Sequence, residues 1–158
     1  MIILGIDPGI ATTGYGIIKS MKNKLTLINY GCIRTSSKLP FAKRLKKIYN
    51  EINKLIKRYK PDKIAVEELF FAKNVKTAMK VGEARGVAVL TAMLNGIKID
   101  EYTPLQVKQA LTGYGQASKI QIQKMVKNIL RLEKIPRPDV AADALAIAIT
   151  CSQSKKFK

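Results

Sequence analysis

The sequence contains no histidine, and that absence removes a large class of enzyme mechanisms. Hydrolases that activate a serine or cysteine through an imidazole, and metal centres with imidazole ligands, all require this side chain. Any chemistry must therefore rely on carboxylates, lysines, hydroxyl groups or metal ions bound by oxygen.

Cysteine is also scarce, since Cys32 and Cys151 are the two thiols of the chain. They lack both the paired spacing of a zinc site and the density of a disulfide framework, which places them in or near the core. No apolar run reaches the roughly 18 residues of a membrane span, and the first residues do not resemble a secretory signal. We therefore expect a cytoplasmic protein without a membrane association.

Acidic residues are few: 11 Asp and Glu oppose 29 Lys and Arg, which gives a net charge of +18. Such an excess favours a polyanionic partner, with nucleic acid ahead of an anionic membrane. A length of 158 residues with 47% hydrophobic residues suits one core. We expect a single domain over residues 1–154 and a basic tail over 155–158.

The first half of the chain alternates between strand and helix patterns. Apolar runs bounded by turn residues predict strands at 2–7, 14–20 and 25–33, joined as antiparallel hairpins. From residue 41 the apolar period becomes helical, and Lys63–Glu67 then predicts a strand that lies parallel to the first after a helix crossover. This order indicates an α/β fold.

The second half is mostly helical. The segment 75–95 is apolar on more than one face, which predicts either a helix central in the core or one at a subunit interface. A strand at 97–102 and helices at 104–111, 118–132 and from residue 138 follow. No acidic residue occurs between Pro104 and Leu132, so this segment should carry a strong positive potential.

Three of the few acids, Asp7, Glu67 and Asp143, occur inside or at the end of apolar elements. An isolated buried carboxylate costs several kcal/mol, and three together are tolerable if they converge on cations. Oxygen ligands without His or Cys favour Mg²⁺ or Mn²⁺, and paired metals of this kind hydrolyse phosphodiesters. The alternative for Asp7 is a cap on the turn at Pro8 and Gly9.

Several motifs together closely resemble the RuvC family of Holliday-junction resolvases, in the right order and over essentially the whole chain. They are Gly5-Ile6-Asp7-Pro8-Gly9, Thr13-Gly14-Tyr15-Gly16, Ala65-Val66-Glu67-Glu68-Leu69-Phe70-Phe71-Ala72-Lys73-Asn74, Gly82-Glu83-Ala84-Arg85-Gly86, Gln106-Val107-Lys108-Gln109 and Ala141-Ala142-Asp143-Ala144-Leu145-Ala146-Ile147-Ala148.

The resemblance implies a ribonuclease H-like fold with a mixed five-stranded sheet flanked by helices. It also implies a structure-specific DNA endonuclease that resolves four-way junctions by symmetric nicking of two strands during recombination and repair. Two Mg²⁺ ions per subunit, for which Mn²⁺ can substitute, and a homodimer are implied as well. The expected partners are four-way junction DNA and the RuvA and RuvB branch-migration proteins.

By position, Asp7, Glu67 and Asp143 match three metal-binding carboxylates of the family. The family usually places Asp or His three residues before the last aspartate, whereas this sequence has Val140 there. Asp139 lies on the same helical face as Asp143, at a spacing of four residues. It is either a displaced fourth ligand or a cap of the helix.

The resemblance also assigns residues that contact DNA. Phe70 matches an aromatic that stacks on an unpaired base near the junction centre, with a core position as the alternative. Lys108 and Lys119 match basic residues near the active site, where they could bind the scissile phosphate. Lysines on a solvated helix face would look the same. Lys73, Asn74 and Arg85 are further candidates.

Other functions share parts of this pattern. The first motif also resembles the phosphate loop of actin-like ATPases, but these proteins need a second such domain and the chain is too short for one. A ribonuclease acting on RNA–DNA hybrids, or a strand transferase, would use the same carboxylates. A basic protein that binds junctions without cutting them is the third possibility, and Val140 favours it slightly.

Overall fold

The computed structural model of the protein describes residues 1–22, 24–68 and 75–154. Its strands are β1 (Ile2–Asp7), β2 (Thr12–Met21), β3 (Lys24–Arg34), β4 (Lys63–Glu67) and β5 (Lys98–Tyr102). Its helices are α1 (Phe41–Tyr59), α2 (Val75–Leu94), α3 (Pro104–Thr112), α4 (Lys119–Ile129) and α5 (Asp139–Gln153).

The five strands form one mixed sheet in the order β3-β2-β1-β4-β5. β1, β2 and β3 pair as antiparallel hairpins, and β1, β4 and β5 are parallel. The mixed sheet and the parallel β4 are as the sequence predicted. Because parallel strands end at the same edge, Asp7 at the end of β1 and Glu67 at the end of β4 share one edge of the sheet.

The core has two layers, one on each face of the sheet. Alternate residues of a strand point to opposite faces, so Ile3 and Ala65 belong to one layer and Leu4 and Ile64 to the other. α3, α4 and α5 cover the first layer, and α1 and α2 cover the second. The predicted amphipathic helix is confirmed, since α1 buries an isoleucine face.

α3 and α4 begin at well-formed caps. The side chains of Thr103 and Ser118 each accept a hydrogen bond from the backbone three residues ahead, in reciprocal capping boxes. α4 ends at Ile129, three residues before its predicted end at Leu132. The reason is local: Arg131 has a φ of 54°, a left-handed conformation that cannot continue the helix.

Two glycines let α5 approach the sheet at backbone distance. A Cβ atom on Gly5 of β1 would collide with the carbonyl oxygen of Ala144, and one on Gly14 of β2 with that of Val140. The neighbouring residues of α5 are therefore fixed closely against the middle of the sheet. This contact places Asp143 beside the end of β1.

α2 buries only a narrow face of small residues, including Ala84, Ala88 and Ala92. Of the two predicted alternatives, a central core position is therefore excluded, and a second surface of the helix, apolar and exposed, leaves the subunit interface as the other. Within the described residues, no helix is both long and apolar enough to cross a membrane.

Candidate active site

Asp7 ends β1 in a half-buried position at the edge of the sheet. Burial, together with the negative charges of Glu67 and Asp143, raises its pKa to about 7. Within the described residues its carboxylate has no hydrogen bond or ion pair. The Asx cap is therefore not observed, and the hydroxyl of Thr13 closes the turn by donating to the carbonyl of Gly9 at 2.7 Å.

Glu67 and Asp143 meet Asp7 from two other elements. β4 delivers Glu67 to the same sheet edge, and α5 brings Asp143 down beside it. The pKa of Glu67 is raised by burial and by the charge of Asp143. The pKa of Asp143 is raised by burial despite its bond to Lys119. Three carboxylates that are far apart in sequence, at positions 7, 67 and 143, thus influence one another's protonation.

Lys119 is the cation that the structure places among these acids. Its Nζ lies 3.0 Å from Oδ2 of Asp143 and 3.7 Å from Oδ2 of Asp139. Burial would lower the pKa of this lysine, but the hydrogen bond to Asp143 and the charges of the three aspartates raise it overall. Lys119 therefore remains protonated beside the carboxylates, where it can meet an incoming anion.

A cleft of about 250 Å³ opens beside the acids. Both predicted lysines line it: Lys108 from α3 and Lys119 from α4, together with Glu67 and Asp143. The sequence assigned these four residues to one site from positions spread over half of the chain. The cleft gives them a shared, open space on the protein surface.

Asp139 begins α5 one turn before Asp143, on the same face as predicted. It is not the cap of the helix, because Pro138 occupies the N-cap position and no side-chain hydrogen bond caps the helix there. Its carboxylate instead bonds to Arg137 and lies near Lys119. The sequence analysis did not identify Arg137. Its position two residues before Asp139 could have suggested this ion pair.

A divalent metal ion is implied by the family resemblance, and the donor chemistry of the site fits one. Asp7, Glu67 and Asp143 supply the hard oxygen ligands that Mg²⁺ and Mn²⁺ prefer. As placed, however, no three His, Cys, Asp or Glu side chains in 1–22, 24–68 and 75–154 are close enough to bind one ion together. The support for a metal site comes from the convergence of the acids and from the half-buried carboxylate of Asp7, which has no hydrogen bond or ion pair among the described residues.

Of the remaining predicted DNA contacts, the described residues include Arg85. Phe70, Lys73 and Asn74 lie outside the described residues. The guanidinium of Arg85, on α2, forms an ion pair with Glu101 of β5. Its Nε is buried without a hydrogen-bond partner among the described residues.

Comparisons with known proteins agree with this fold. The family model described as "Crossover junction endodeoxyribonuclease RuvC" matches residues 3–151. A protein of that name from Ruminiclostridium cellulolyticum is 56% identical over 99% of this chain and 95% of its own length. The solved Thermus thermophilus RuvC structure superposes with a TM-score of 0.92 at 38% identity, covering 99% of this chain and 96% of that one.

A second solved structure shows the same relative with DNA. T. thermophilus RuvC in complex with Holliday junction substrate has a TM-score of 0.90 at 40% identity. The match covers 95% of this chain and 92% of that chain. The ribonuclease H-like fold expected from the sequence is thereby confirmed.

Proposed function

Because the chain belongs to the RuvC family of crossover junction endodeoxyribonucleases, we propose that it resolves four-way DNA junctions by hydrolysing one phosphodiester bond in each of two strands. The observation that supports this most is the convergence of Asp7, Glu67 and Asp143 beside a lysine-lined cleft. The net charge of +18 suits a polyanionic substrate. A similar protein from T. thermophilus has been solved with a Holliday junction.

The acids of the site are proposed as the ligands of Mg²⁺, with Mn²⁺ able to substitute. Asp7, Glu67 and Asp143 would hold the ions, and Asp139 is the fourth carboxylate, since it reaches the same lysine as Asp143. Such ions, when bound, would supply an activated water molecule and would stabilise the leaving oxygen. Asp7 contributes a carboxylate that forms no ion pair with a cation in the part of the chain that the structure describes.

Lys119 and Lys108 are proposed to bind the scissile phosphate. The Lys119 side chain is 53% exposed although it contacts Asp143, so a phosphate can approach it from the cleft. In the described residues Lys108 has no ion pair and lines the same space. Two ammonium groups beside the reacting phosphate stabilise the negative charge that grows on it during hydrolysis.

The exposed surface of α2 is proposed to form a homodimer. Five large apolar side chains fall on one stripe of this helix, opposite its buried alanines: Val75, Met79, Leu90, Met93 and Leu94, each between 56% and 70% exposed. An apolar stripe of this size on a surface helix is typical of a subunit contact. A two-fold axis at this surface would present two identical sites to two equivalent strands.

Further parts of the proposal follow the family. Phe70, Lys73, Asn74 and Arg85 would contact the DNA, and RuvA and RuvB would bring the junction to the enzyme. Residues 1–154 would act as one nuclease domain in the cytoplasm, with 155–158 as a basic tail. A membrane is not among the proposed partners.

Asp7→Asn tests the proposal directly. With a synthetic four-way junction and Mg²⁺, we expect native protein to nick two strands and the variant to lose roughly a thousandfold or more of the rate. Junction binding, measured by gel shift in a chelator, should persist because a negative charge has been removed. If the variant cuts at the native rate, Asp7 is not part of the active site.

Substrate comparison separates the alternatives. An RNA–DNA hybrid and a linear duplex of matched length serve as controls for the junction. Preferred cleavage of the hybrid would assign the site to another ribonuclease H-like activity. Junction binding without cleavage at any concentration of Mg²⁺ or Mn²⁺ would assign the protein to non-cleaving junction binders.

A further inference from the structure

α1 presents a strongly basic surface that the active site does not use. Its nineteen residues contain seven Lys and Arg and a single acid, Glu51. Glu51 is bound by Lys54 at 2.7 Å. In the described part of the chain, no acidic group forms an ion pair with Lys43, Lys46 or Lys47. These three cations are therefore available to a ligand.

The basic side chains of α1 line two neighbouring grooves. One, of about 530 Å³, runs along the helix beside Lys43 and Lys46. The other, of about 360 Å³, lies between the helix and β3 and includes Arg34. Lys47 lines both grooves, so they form one path. We name Arg34, Lys43, Lys46 and Lys47, with the space between them, the α1 basic groove.

This groove lies at the same end of the sheet as the active site. Arg34 is the last residue of β3, and β3 is two strands away from β1, about 10 Å at the usual strand spacing. Asp7 ends β1 at that edge. A DNA duplex is wide enough to contact both places at once.

A hydrogen-bonded link fixes α1 to the turn that follows Asp7. Arg44 of α1 donates through Nε to the hydroxyl of Thr35 at 2.8 Å. That hydroxyl donates in turn to the carbonyl of Ile10, and the backbone N–H of Thr35 donates to the carbonyl of Ala11 at 3.0 Å. The basic surface is thus held in a defined position relative to β1.

The chemistry of the groove favours a phosphate backbone over a protein. Protein interfaces are built around a buried apolar centre. Leu39 is the one large apolar side chain among the described residues that line the first groove. The large apolar side chains that line the second groove, Tyr15, Ile33 and Leu55, are already packed in the core layer beneath α1. A row of unpaired lysines along an open groove matches the regular charges of a nucleic acid strand.

We propose that the α1 basic groove binds the phosphate backbone of a duplex arm of the substrate, outside the active site. The identity of that substrate as a junction rests on the proposed function above. The groove adds affinity and orients the arm, and its lysines do not touch the reacting phosphate.

The test is the salt dependence of DNA binding by a triple variant, Lys43→Gln, Lys46→Gln and Lys47→Gln. Binding to a four-way junction and to a linear duplex is measured by fluorescence anisotropy in a chelator, over a range of potassium chloride concentrations. Each lost phosphate contact lowers the slope of log affinity against log salt by about 0.9. Because three contacts are lost, we expect the magnitude of the slope to fall by about 2.7 and the Kd for the junction to rise roughly tenfold or more.

A matched variant controls for net charge. Lys19→Gln, Lys22→Gln and Lys24→Gln also remove three exposed lysines, near the opposite end of β2 and β3. It should keep a slope close to native. A variant with arginine at 43, 46 and 47 should also keep it. Thermal unfolding of each variant shows that the fold is intact.

The outcomes distinguish direct contacts between the α1 lysines and DNA phosphates from a general attraction due to net charge. An unchanged slope in the glutamine variant of α1 would overturn the proposal and leave an acidic protein as the candidate ligand. Equal losses in both glutamine variants would overturn it as well, because the effect would then follow net charge. If the glutamine variant of α1 shows the predicted change in slope but the native protein never cuts junctions, the proposed function fails and the proposal of a DNA-binding groove is supported.

Discussion

α5 and α1 cover opposite faces of the same sheet, yet they approach it in different ways. α5 meets the strands through backbone contacts at Gly5 and Gly14, which leave no space for a side chain. α1 packs against the sheet through the side chains of Ile48, Ile52 and Ile56. Isoleucine side chains can repack after a substitution, whereas two backbones in contact cannot. The face with the rigid contact is the one that positions the acids.

The charged side chains of the two faces of the sheet also differ in how firmly they are held. Around α5, Asp139 and Asp143 are held close to Lys119 at defined distances. On α1, lysines without acidic partners project into open grooves. A reaction needs groups fixed to within a fraction of an ångström, whereas attraction of a polyanion needs only charge of the right sign. This difference is consistent with our two proposals, that the chemistry takes place beside α5 and that α1 contributes to DNA binding.

The largest effect is expected where α5 touches β1. Gly5→Val should lower the free energy of unfolding by more than about 3 kcal/mol, because the new side chain collides with the backbone of Ala144. Guanidinium denaturation followed by circular dichroism measures it. Thr26→Val, at an exposed position of β3, is the control and should change stability by less than about 0.5 kcal/mol. Equal stability of both variants would contradict the close contact.

The second effect concerns the free energy of unfolding that is lost by burying the carboxylate of Asp7. Burial raises the pKa of Asp7 to about 7, whereas 3.8 is its ordinary value. The folded state therefore binds the proton more tightly than the unfolded chain, and stability falls as the pH rises from about 4 to about 7. In a chelator at pH 8, Asp7→Asn should raise the free energy of unfolding by about 2–4 kcal/mol.

The pH dependence provides the control for this second prediction. Near pH 4 Asp7 is protonated in the folded protein, so the variant and the native protein should then differ much less. Denaturation curves at both pH values, without metal, give the comparison. A variant that is less stable than the native protein at pH 8 would show that Asp7 has a structural role.

The smallest effect on folding is expected on the exposed side of α2. Replacing Met79, Leu90 and Met93 by serine should change the free energy of unfolding of one subunit by about 0.5 kcal/mol or less per site. The same variant should sediment as a monomer at a concentration at which the native protein, by our proposal, sediments as a dimer. Ala88→Leu, on the buried face of the same helix, should instead cost about 1–3 kcal/mol. A serine variant that remains dimeric would place the subunit contact elsewhere.

The parts of the fold that follow from periodicity were predictable. Short-range hydrophobic patterns predict the order of the strands, the isoleucine face of α1 and the parallel strand β4. The exposed apolar side of α2 was harder to place, because alanine and leucine on several faces suit a core helix as well as an interface. Only the structure shows that its buried face consists of small residues.

The site was predictable as a set of residues and less so as an arrangement. Asp7, Glu67 and Asp143 stand out because a carboxylate in an apolar element demands a reason. Their distances could not be derived, since they depend on how closely α5 approaches β1. The roles of Arg137 beside Asp139 and of Thr35 beside Arg44 were equally hidden, because each is a contact made by the fold.

Metal binding tests the central claim most directly, because it does not depend on cleavage. Free Mn²⁺ is followed by electron paramagnetic resonance while native protein or Asp7→Asn is titrated in, without DNA. We predict that native protein binds Mn²⁺ and that Asp7→Asn, although folded, loses most of this binding. Equal binding by the two proteins would contradict the assignment of the metal site to the end of β1.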